Sequence, residues 1–206
     1  MPAPRLMLVS PVLVPDSQFD LSGALAGADI AAVILRAPAD ADERALLKIL
    51  KPLVDAAQAK GAAALIQGAP DLVGKSSADG IHVLGDMAAR EAAPRFKPEK
   101  IVGVGGLRTR DAAMSAGEIN VDYVLFGDPG AGEAPPLDAT LERLQWWAEI
   151  FTTPCVGLAE TLDAVAPIGA TGADFVAFGD FVWAHASGAQ DGVRQAALRL
   201  PAEAVT

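Results

Sequence analysis

The chain has 206 residues, of which 51% are hydrophobic, 5% aromatic and 20% charged. This composition excludes an intrinsically disordered chain and indicates a globular core of aliphatic side chains. The length predicts a single domain over residues 1–206. The net charge of −10 disfavours nucleic acid and anionic membranes as partners, because both would repel the protein on average.

One cysteine excludes a disulfide framework and a cysteine-rich zinc site, and two histidines leave little for a histidine-based metal site. The sequence shows neither a signal-peptide pattern nor an apolar run of about 18 residues, the length that a membrane-spanning helix needs. We therefore expect a cytoplasmic protein that acts on, or binds, a small molecule.

Short β-branched apolar runs alternate with longer alanine-rich stretches along the whole chain, which is typical of βα units around a parallel sheet. The pattern predicts eight strands, at residues 5–10, 30–35, 62–67, 79–84, 100–104, 121–127, 154–158 and 174–179. It predicts helices between and after them, at residues 18–26, 40–59, 69–76, 86–93, 109–117, 138–150, 160–170 and 181–199.

An aspartate recurs at the start of every second predicted strand, in the strand's first two residues or directly before it. These aspartates are Asp29, Asp79, Asp122 and Asp174, at spacings of 50, 43 and 52 residues. A βαβα unit of this size repeated four times predicts a (β/α)₈ barrel, the TIM barrel of parallel strands. An open doubly wound sheet has the same alternation and is the alternative. In a barrel, functional residues follow the carboxyl ends of the strands, and the aspartates lie at the opposite, structural end.

Three polar residues near the predicted carboxyl ends carry the main chemistry. The guanidinium of Arg36 can hold a phosphate or carboxylate bidentately, and a surface arginine opening the next loop is an equal alternative. His82 lies on the same side of its strand as Gly80 and Leu84, so it is either a ligand-contacting or a core histidine. Asp86 is either a magnesium ligand or, as we favour, a helix N-cap.

Other candidates for substrate contacts also follow strands. The run containing Gly103, Gly105 and Gly106 lies between a strand and a helix, where amides can approach a phosphate or a planar ring, although the run lacks a full dinucleotide or P-loop motif. Loop 128–137 is either a lid or, more simply, a solvent loop. The remaining candidates are Gln67, Arg108, Gly127, Gly157, Gly179 and Asp180.

Two further features fit a structural role. Cys155 begins an apolar strand and is expected to be an inert core thiol. Trp146 and Trp147 lie together on a predicted helix, where packing or an oligomer contact explains them better than substrate stacking. The paired tryptophans and alanine-rich helices would suit a homodimer.

Three segments carry a resemblance to a known family: Ala78-Asp79-Gly80-Ile81-His82-Val83, Val121-Asp122-Tyr123-Val124-Leu125-Phe126-Gly127 and Gly172-Ala173-Asp174-Phe175-Val176. In order and spacing they resemble the thiamine phosphate synthase family and its thiazole tautomerase relatives, over about residues 28–183. The resemblance implies a (β/α)₈ barrel that joins hydroxymethylpyrimidine diphosphate to a thiazole phosphate with magnesium and releases pyrophosphate.

The resemblance also implies roles for individual residues. Arg36 matches the arginine of a Gln-x-Arg-x-Lys motif that holds the diphosphate, and Ile34 and Pro38 stand at its glutamine and lysine. Asp86 is the nearest match, shifted by one residue, to a magnesium-binding aspartate. Gln67 and Gly68 stand where the family has an Asn-Asp pair.

Further family positions differ in this chain. The family has Gly-x-Ser-x-His-Thr at the end of the fifth strand, and both the serine and the histidine are absent from Gly103-Val104-Gly105-Gly106-Leu107-Arg108-Thr109. Residues 128–136 contain neither the threonine nor the lysine of the family's sixth loop. Ala159 and Glu160 stand at a Gly-Gly phosphate cradle. Asp180 replaces the serine that opens a phosphate-binding helix, and we expect it to be that helix's N-cap and to consume one of the unpaired amides.

Two main hypotheses follow. In the first, the chain is a transferase in which Arg36 steadies a diphosphate, Asp86 holds magnesium and residues 103–106 seat the substrate. In the second, it has lost this chemistry and binds a neutral or cationic ligand such as thiamine, which an acidic mouth of Asp86, Asp128, Glu160 and Asp180 would attract. A weaker third hypothesis makes His82 a general acid or base.

Overall fold

The structure is a computed structural model that describes residues 3–14, 19–38, 41–128 and 133–201. Eight parallel strands close into a barrel in chain order. The strands are β1 (Arg5–Val12), β2 (Ile30–Arg36), β3 (Ala63–Gln67), β4 (Gly80–Leu84), β5 (Ile101–Gly105), β6 (Tyr123–Phe126), β7 (Cys155–Ala159) and β8 (Phe175–Phe178). Because β8 pairs with β1, for example Val176 with Leu6, the barrel prediction is confirmed and the open sheet is wrong.

Helices follow the strands around the outside of the barrel. Within the described ranges they are α1 (Leu21–Gly27), α2 (Glu43–Ala59), α3 (Leu72–Ser76), α4 (Asp86–Phe96), α5 (Arg110–Gly117), α6 (Leu137–Ile150), α7 (Val165–Gly169), α8 (Asp180–Trp183) and α9 (Ala189–Ala197). No helix in these ranges combines the length and apolar character needed to cross a membrane.

Two predicted helices differ from the observed ones. The predicted helix 160–170 begins with a 3₁₀ turn, Leu162–Ala164, before α7. The predicted helix 181–199 is wrong as a single element, because a turn separates α8 from α9. Gly188, whose φ of +89° is in the left-handed region that favours glycine, is the residue preceding α9.

The core has two apolar layers, because alternate strand residues face the barrel interior and the helices. The interior layer consists of Met7, Ala32, Ile34, Leu65, Tyr123, Leu125, Val156 and Ala177. The outer layer includes Trp147, which is fully buried and donates its indole N–H to the Thr153 carbonyl at 2.8 Å. Packing, rather than an oligomer contact, therefore accounts for Trp147.

Three of the four repeated aspartates bind the backbone of the preceding strand at the amino-terminal end of the barrel. In each case the carboxylate accepts a backbone N–H at 2.8 Å, with the pairs Asp79 and Ala64, Asp122 and Val102, and Asp174 and Cys155. The fourth, Asp29, lies 3.7 Å from the Arg5 guanidinium on the surface. The expected structural role is thus confirmed, and the repeat fixes the register of neighbouring strands.

Replacing Asp174 with alanine should lower the free energy of unfolding by about 1–3 kcal/mol, because the Cys155 N–H loses its acceptor at the start of β7. Urea unfolding measured by circular dichroism tests this. The control is Asp138→Ala, which removes an exposed carboxylate in the first turn of α6. Equal stability of the two variants would show that the hydrogen bond does not stabilise the barrel.

The thiol of Cys155 should not react with iodoacetamide at pH 8 while the protein is folded. Burial, with a smaller contribution from Asp174, raises the pKa of the thiol to about 12, so almost no reactive thiolate is present at that pH. The thiol is also inaccessible, with the residue 1% exposed. Mass spectrometry should show alkylation only after urea unfolding, and rapid alkylation of the folded protein would contradict this.

Candidate functional site

Three adjoining cavities lie at the carboxyl ends of the strands. The first, which we call the mouth cavity, has a volume of about 300 Å³. Its polar lining residues are Arg36, Gln67, His82 and Asp128. Its apolar walls are formed by Val9, Val12, Ile34, Ala37, Pro38, Leu84, Leu125 and Leu158. An apolar cavity with a few convergent polar groups is the usual form of a small-molecule site.

The other two cavities share residues with the first. A cavity of about 80 Å³ is lined by Val9, Arg36, Leu158, Ala159, Glu160, Gly179 and Asp180. One of about 240 Å³ is lined by Leu107, Arg108, Leu125, Gly127, Asp128, Glu133, Pro135 and Arg143. Arg36 connects the mouth cavity to the first of these, and Asp128 connects it to the second. The sequence-predicted residues Arg36, Gln67, His82, Arg108, Gly127, Gly179 and Asp180 therefore share one end of the barrel.

Arg36 is held firmly at the end of β2. Its backbone N–H donates to Ser10 Oγ at 3.0 Å, and its side-chain Nε donates to the Ser10 carbonyl at 2.5 Å. Its terminal nitrogen Nη2 lies 3.3 Å from Asp180 Oδ1. The guanidinium is 27% exposed and the Asp180 side chain 83%, so a solvated carboxylate lies at the position where an incoming anion would meet Arg36.

Asp180 does not cap α8, and that prediction is wrong. Gly179 is the N-cap, without a side-chain hydrogen bond, and Asp180 is the first residue of this four-residue helix. Instead of accepting a hydrogen bond from an amide of α8, the Asp180 carboxylate pairs with Arg36 on the other side of the cavity. Asp180 therefore pairs with the guanidinium of Arg36 and does not consume a helix amide.

The N-cap prediction for Asp86 is also wrong, for the same reason. Gly85, with a φ of +87°, precedes α4, and Asp86 is its first residue. Asp86 is also not among the residues that line the three cavities. Among the described residues, no three or more histidine, cysteine, aspartate or glutamate side chains are grouped closely enough to hold a metal ion.

His82 lies inside the barrel between a phenol and a carboxylate. Its Nδ1 is 2.8 Å from the Tyr123 hydroxyl, and its Nε2 is 3.8 Å from Asp128 Oδ2. Burial, followed by the charges of Asp122 and Asp128, raises the pKa of Tyr123 well above its ordinary value, so the phenol keeps its proton. His82 is 1% exposed, and its Nε2 has no hydrogen-bond partner among the described residues.

Two glycines of β5 make room for these side chains. A Cβ on Gly103 would lie 2.0 Å from the ring of Tyr123. A Cβ on Gly105 would lie 2.8 Å from His82 Nε2 and 2.9 Å from Asp128 Oδ2. Both glycines pair along the sheet with β4, so what they contribute to the site is space.

The remaining predicted glycines are placed differently from one another. Gly106 and Gly127 follow β5 and β6 with φ values of +66° and +95°, which favour glycine at these turns. A Cβ on Gly157 would meet Ile168 and Leu144, so its missing side chain faces the helices and not the mouth cavity. In loop 128–137, residues 129–132 lie outside the described residues, and the choice between lid and solvent loop stays open.

Several residues of the site were not predicted as site residues. Ser10 anchors Arg36, and Arg143 of α6 donates to the carbonyls of Leu107 and Arg108 at 2.7 and 3.1 Å. Tyr123 is the hydrogen-bond partner of His82. For Ser10, the sequence offers one signal, its position at the end of a predicted strand. The other contacts join residues far apart in the chain, so no local sequence pattern indicates them.

A separate cavity of about 340 Å³ lies beside α4 and also reaches Gln67 and His82. Its walls include Ile81, Ala92 and Phe96, and its arginine, Arg95, is already paired with Asp71 at 2.5 Å. The hydrogen bond from Arg95 is the main cause that lowers the pKa of Asp71. With its cation engaged, this cavity is a weaker candidate than the mouth cavity.

Comparison with known proteins gives evidence about the family of this chain that does not depend on the geometry of the site. The sequence model of the family described as thiamine monophosphate synthase matches residues 10–182. The chain is 38% identical to the thiamine-phosphate synthase of Rhodospirillum centenum, covering 89% of this chain and 91% of that protein. It is 33% identical to the thiamine-phosphate synthase of Hyphomonas neptunium, with coverage of 94% and 92%.

Solved structures agree at the level of the fold. The thiamine phosphate pyrophosphorylase from Pyrococcus furiosus superposes with a TM-score of 0.75 at 21% identity, covering 95% of this chain and 94% of that one. A 3-hexulose-6-phosphate synthase superposes with a TM-score of 0.72 at 15% identity, covering 96% and 100%. Because the family match and the curated relatives cover most of the sequence, the chain belongs to the thiamine monophosphate synthase family.

Proposed function

We propose that the protein is a thiamine-phosphate synthase, which joins hydroxymethylpyrimidine diphosphate to a thiazole phosphate and releases pyrophosphate. The observation that carries this proposal is the relationship to curated thiamine-phosphate synthases across about nine-tenths of the chain. The mouth cavity supports it, because it combines apolar walls for a flat ring with an arginine for an anion.

The main chemical requirement of the reaction is stabilisation of the leaving group. The thiazole nitrogen forms a bond to the methylene carbon of the pyrimidine, the carbon–oxygen bond to the diphosphate breaks, and pyrophosphate leaves with the electron pair. A side-chain nucleophile is not required. Fixed positive charge beside the departing oxygens stabilises the transition state, because negative charge develops there as the bond breaks.

Arg36 supplies fixed positive charge for the departing pyrophosphate. The hydrogen bond from Nε to the Ser10 carbonyl fixes the plane of the guanidinium, which lowers the reorganisation needed when the anion binds. The terminal nitrogens then exchange the Asp180 carboxylate for diphosphate oxygens, which bind more strongly because they carry more charge. Gly179 lines the same cavity, and its lack of a side chain makes room for the Val9 carbonyl, which lies 2.4 Å from the position of a Cβ.

Magnesium bound by Asp86 stays a prediction. A protein site for Mg²⁺ offers oxygen ligands in octahedral geometry, often one or two carboxylates completed by substrate phosphates. The described residues gather no cluster of three potential ligands, and Asp86 does not line the cavities that contain Arg36. The residues present do not fit a preassembled magnesium site, and no step above involves the metal.

The alternative of a binder for a thiamine-like cation is not favoured. Three of the four acidic residues behind it, Asp128, Glu160 and Asp180, do line the cavities. However, Asp180 is paired with Arg36, which offsets its charge, and the curated relatives are named as synthases. A cytoplasmic location and a homodimer stay predictions.

A thermal-shift comparison separates the two functions. For a synthase, inorganic pyrophosphate and thiamine phosphate should each raise the melting temperature, because both are products that bind the folded protein, with pyrophosphate at Arg36. Thiamine without phosphate should have a smaller effect. Stabilisation by thiamine alone, with none by pyrophosphate, would contradict the proposed function and favour the cation binder.

A further inference from the structure

A buried donor and an acidic acceptor face the same space in the mouth cavity. His82 Nε2 and Asp128 Oδ2 are 3.8 Å apart, and both lie within 2.9 Å of the point that a Cβ on Gly105 would occupy. Glycine at that position leaves the room that these two side chains need to approach each other beside the mouth cavity. Since Nε2 has no partner among the described residues, a buried polar atom is left there that a ligand would satisfy.

The contacts of His82 indicate which of its two ring nitrogens carries the hydrogen. Tyr123 stays protonated, because burial raises the pKa of its hydroxyl, and that hydroxyl lies 2.8 Å from Nδ1. The opposite nitrogen, Nε2, faces the Asp128 carboxylate, which favours a hydrogen on that side. The phenol therefore donates to Nδ1, and with its hydrogen on Nε2 the His82 ring presents a donor beside the carboxylate acceptor.

We propose that His82 and Asp128 bind the amino-substituted edge of a pyrimidine ring, and that Asp128 determines specificity for it. On this edge an amino group lies next to a ring nitrogen. The amino group donates to Asp128 Oδ2, and the ring nitrogen accepts from His82 Nε2–H. This assignment deepens the proposed function, on which it rests, by placing the pyrimidine half of the substrate.

The surroundings fit a flat ring at this position. Ile34, Leu125 and Leu158 form apolar walls of the mouth cavity, and Arg36 lines the same cavity, where it can meet a diphosphate attached to that ring. An oxo group in place of the amino group reverses the pattern, because the ring then presents an acceptor beside an N–H donor. The oxo ring would leave the charged carboxylate facing an acceptor, which is unfavourable.

The test is calorimetric binding of two probes to the whole protein: hydroxymethylpyrimidine, which lacks the diphosphate, and its oxo counterpart. The wild-type protein should prefer the amino probe. Asp128→Asn should weaken binding of the amino probe by about 10- to 100-fold and lower the amino-to-oxo preference by at least about 10-fold, because the amide can donate to the oxo oxygen. Asp138→Asn, the same change at an exposed position, should leave the preference unchanged.

A second variant tests the placement of these two side chains. Gly105→Ala should weaken binding of both probes, because its Cβ would lie 2.8 Å from Nε2 and 2.9 Å from Oδ2 and would displace these atoms. Circular dichroism and thermal unfolding establish that each variant is folded. An unchanged amino-to-oxo preference in folded Asp128→Asn, or wild-type binding of neither probe, would overturn the assignment.

The binding test of the pyrimidine site and the activity test of the proposed function can succeed or fail independently. If the wild-type protein forms thiamine phosphate but Asp128→Asn keeps the preference, the specificity role is wrong and the synthase stands. If the protein forms no thiamine phosphate yet Asp128→Asn lowers the preference as expected, the pyrimidine site stands and the synthase proposal fails.

Discussion

Replacing Arg36 with alanine is expected to lower kcat/KM for hydroxymethylpyrimidine diphosphate by about 10²- to 10³-fold, the usual cost of removing one preorganised donor to a developing negative charge. Arg36 lines both the mouth cavity and the smaller cavity beside it, and its Nε is already fixed to Ser10. Steady-state kinetics with the diphosphate substrate measure the effect. A change of less than about 3-fold in a folded variant would place the anion elsewhere.

Two further variants separate charge from geometry. Arg36→Lys keeps the positive charge but loses the planar fork and the hydrogen bond from Nε, so most of the activity should still be lost. Asp180→Asn keeps the size of the side chain but removes the carboxylate that competes for Nη2, so pyrophosphate should bind more tightly. Weaker pyrophosphate binding in Asp180→Asn would contradict the competitive role of that carboxylate.

Replacing Gly103 with alanine is expected to lower the free energy of unfolding by about 3 kcal/mol, at the upper end of the usual cost of overpacking. The added Cβ would lie 2.0 Å from the ring of Tyr123 and 2.4 Å from its hydroxyl. The ring is buried in the barrel interior and held by His82, so it has little freedom to move. Urea unfolding followed by circular dichroism gives the free-energy change.

The matched control is Gly74→Ala. Gly74 lies in α3, and a Cβ there would meet no atom within 4 Å. The substitution should be neutral or stabilise the protein by about 0.4–1 kcal/mol, because alanine restricts the unfolded chain. If Gly103→Ala were as stable as Gly74→Ala, the interior would have to accommodate the methyl group, and the packing described for Tyr123 would be wrong.

The sequence predicted the barrel because its signals are local. Apolar runs such as residues 30–35 need only their own composition to be identified as strands, and the recurring aspartates marked the repeat. The same reasoning predicted Arg36 at the end of a strand and His82 within one, and both residues line the mouth cavity at the carboxyl ends of the strands.

The pairings within the site were not predictable in this way. Arg36 meets Asp180 across 144 residues of chain, and His82 meets Tyr123 across 41. Both pairings depend on loop conformation and on space left by glycine. The sequence indicated that Gly103 and Gly105 matter, but it suggested free amides where the structure shows room for side chains.

The structure shows where several of the acidic residues behind the negative net charge lie. Part of it lies at the amino-terminal end of the barrel, where three aspartates hold backbone amides. Another part lies at the mouth, where Asp180 balances Arg36 and Asp128 faces His82. These carboxylates have local partners, so the net charge does not by itself prevent binding of a phosphate substrate.

The most direct test of the central claim is whether the purified 206-residue chain forms thiamine phosphate from hydroxymethylpyrimidine diphosphate and thiazole phosphate, with magnesium supplied. Liquid chromatography with mass spectrometry detects the product, and a coupled assay detects pyrophosphate. We predict that both products form in equal amounts and that Arg36→Ala removes nearly all of this activity. Absence of both products at high concentrations of folded wild-type protein would contradict the proposed function.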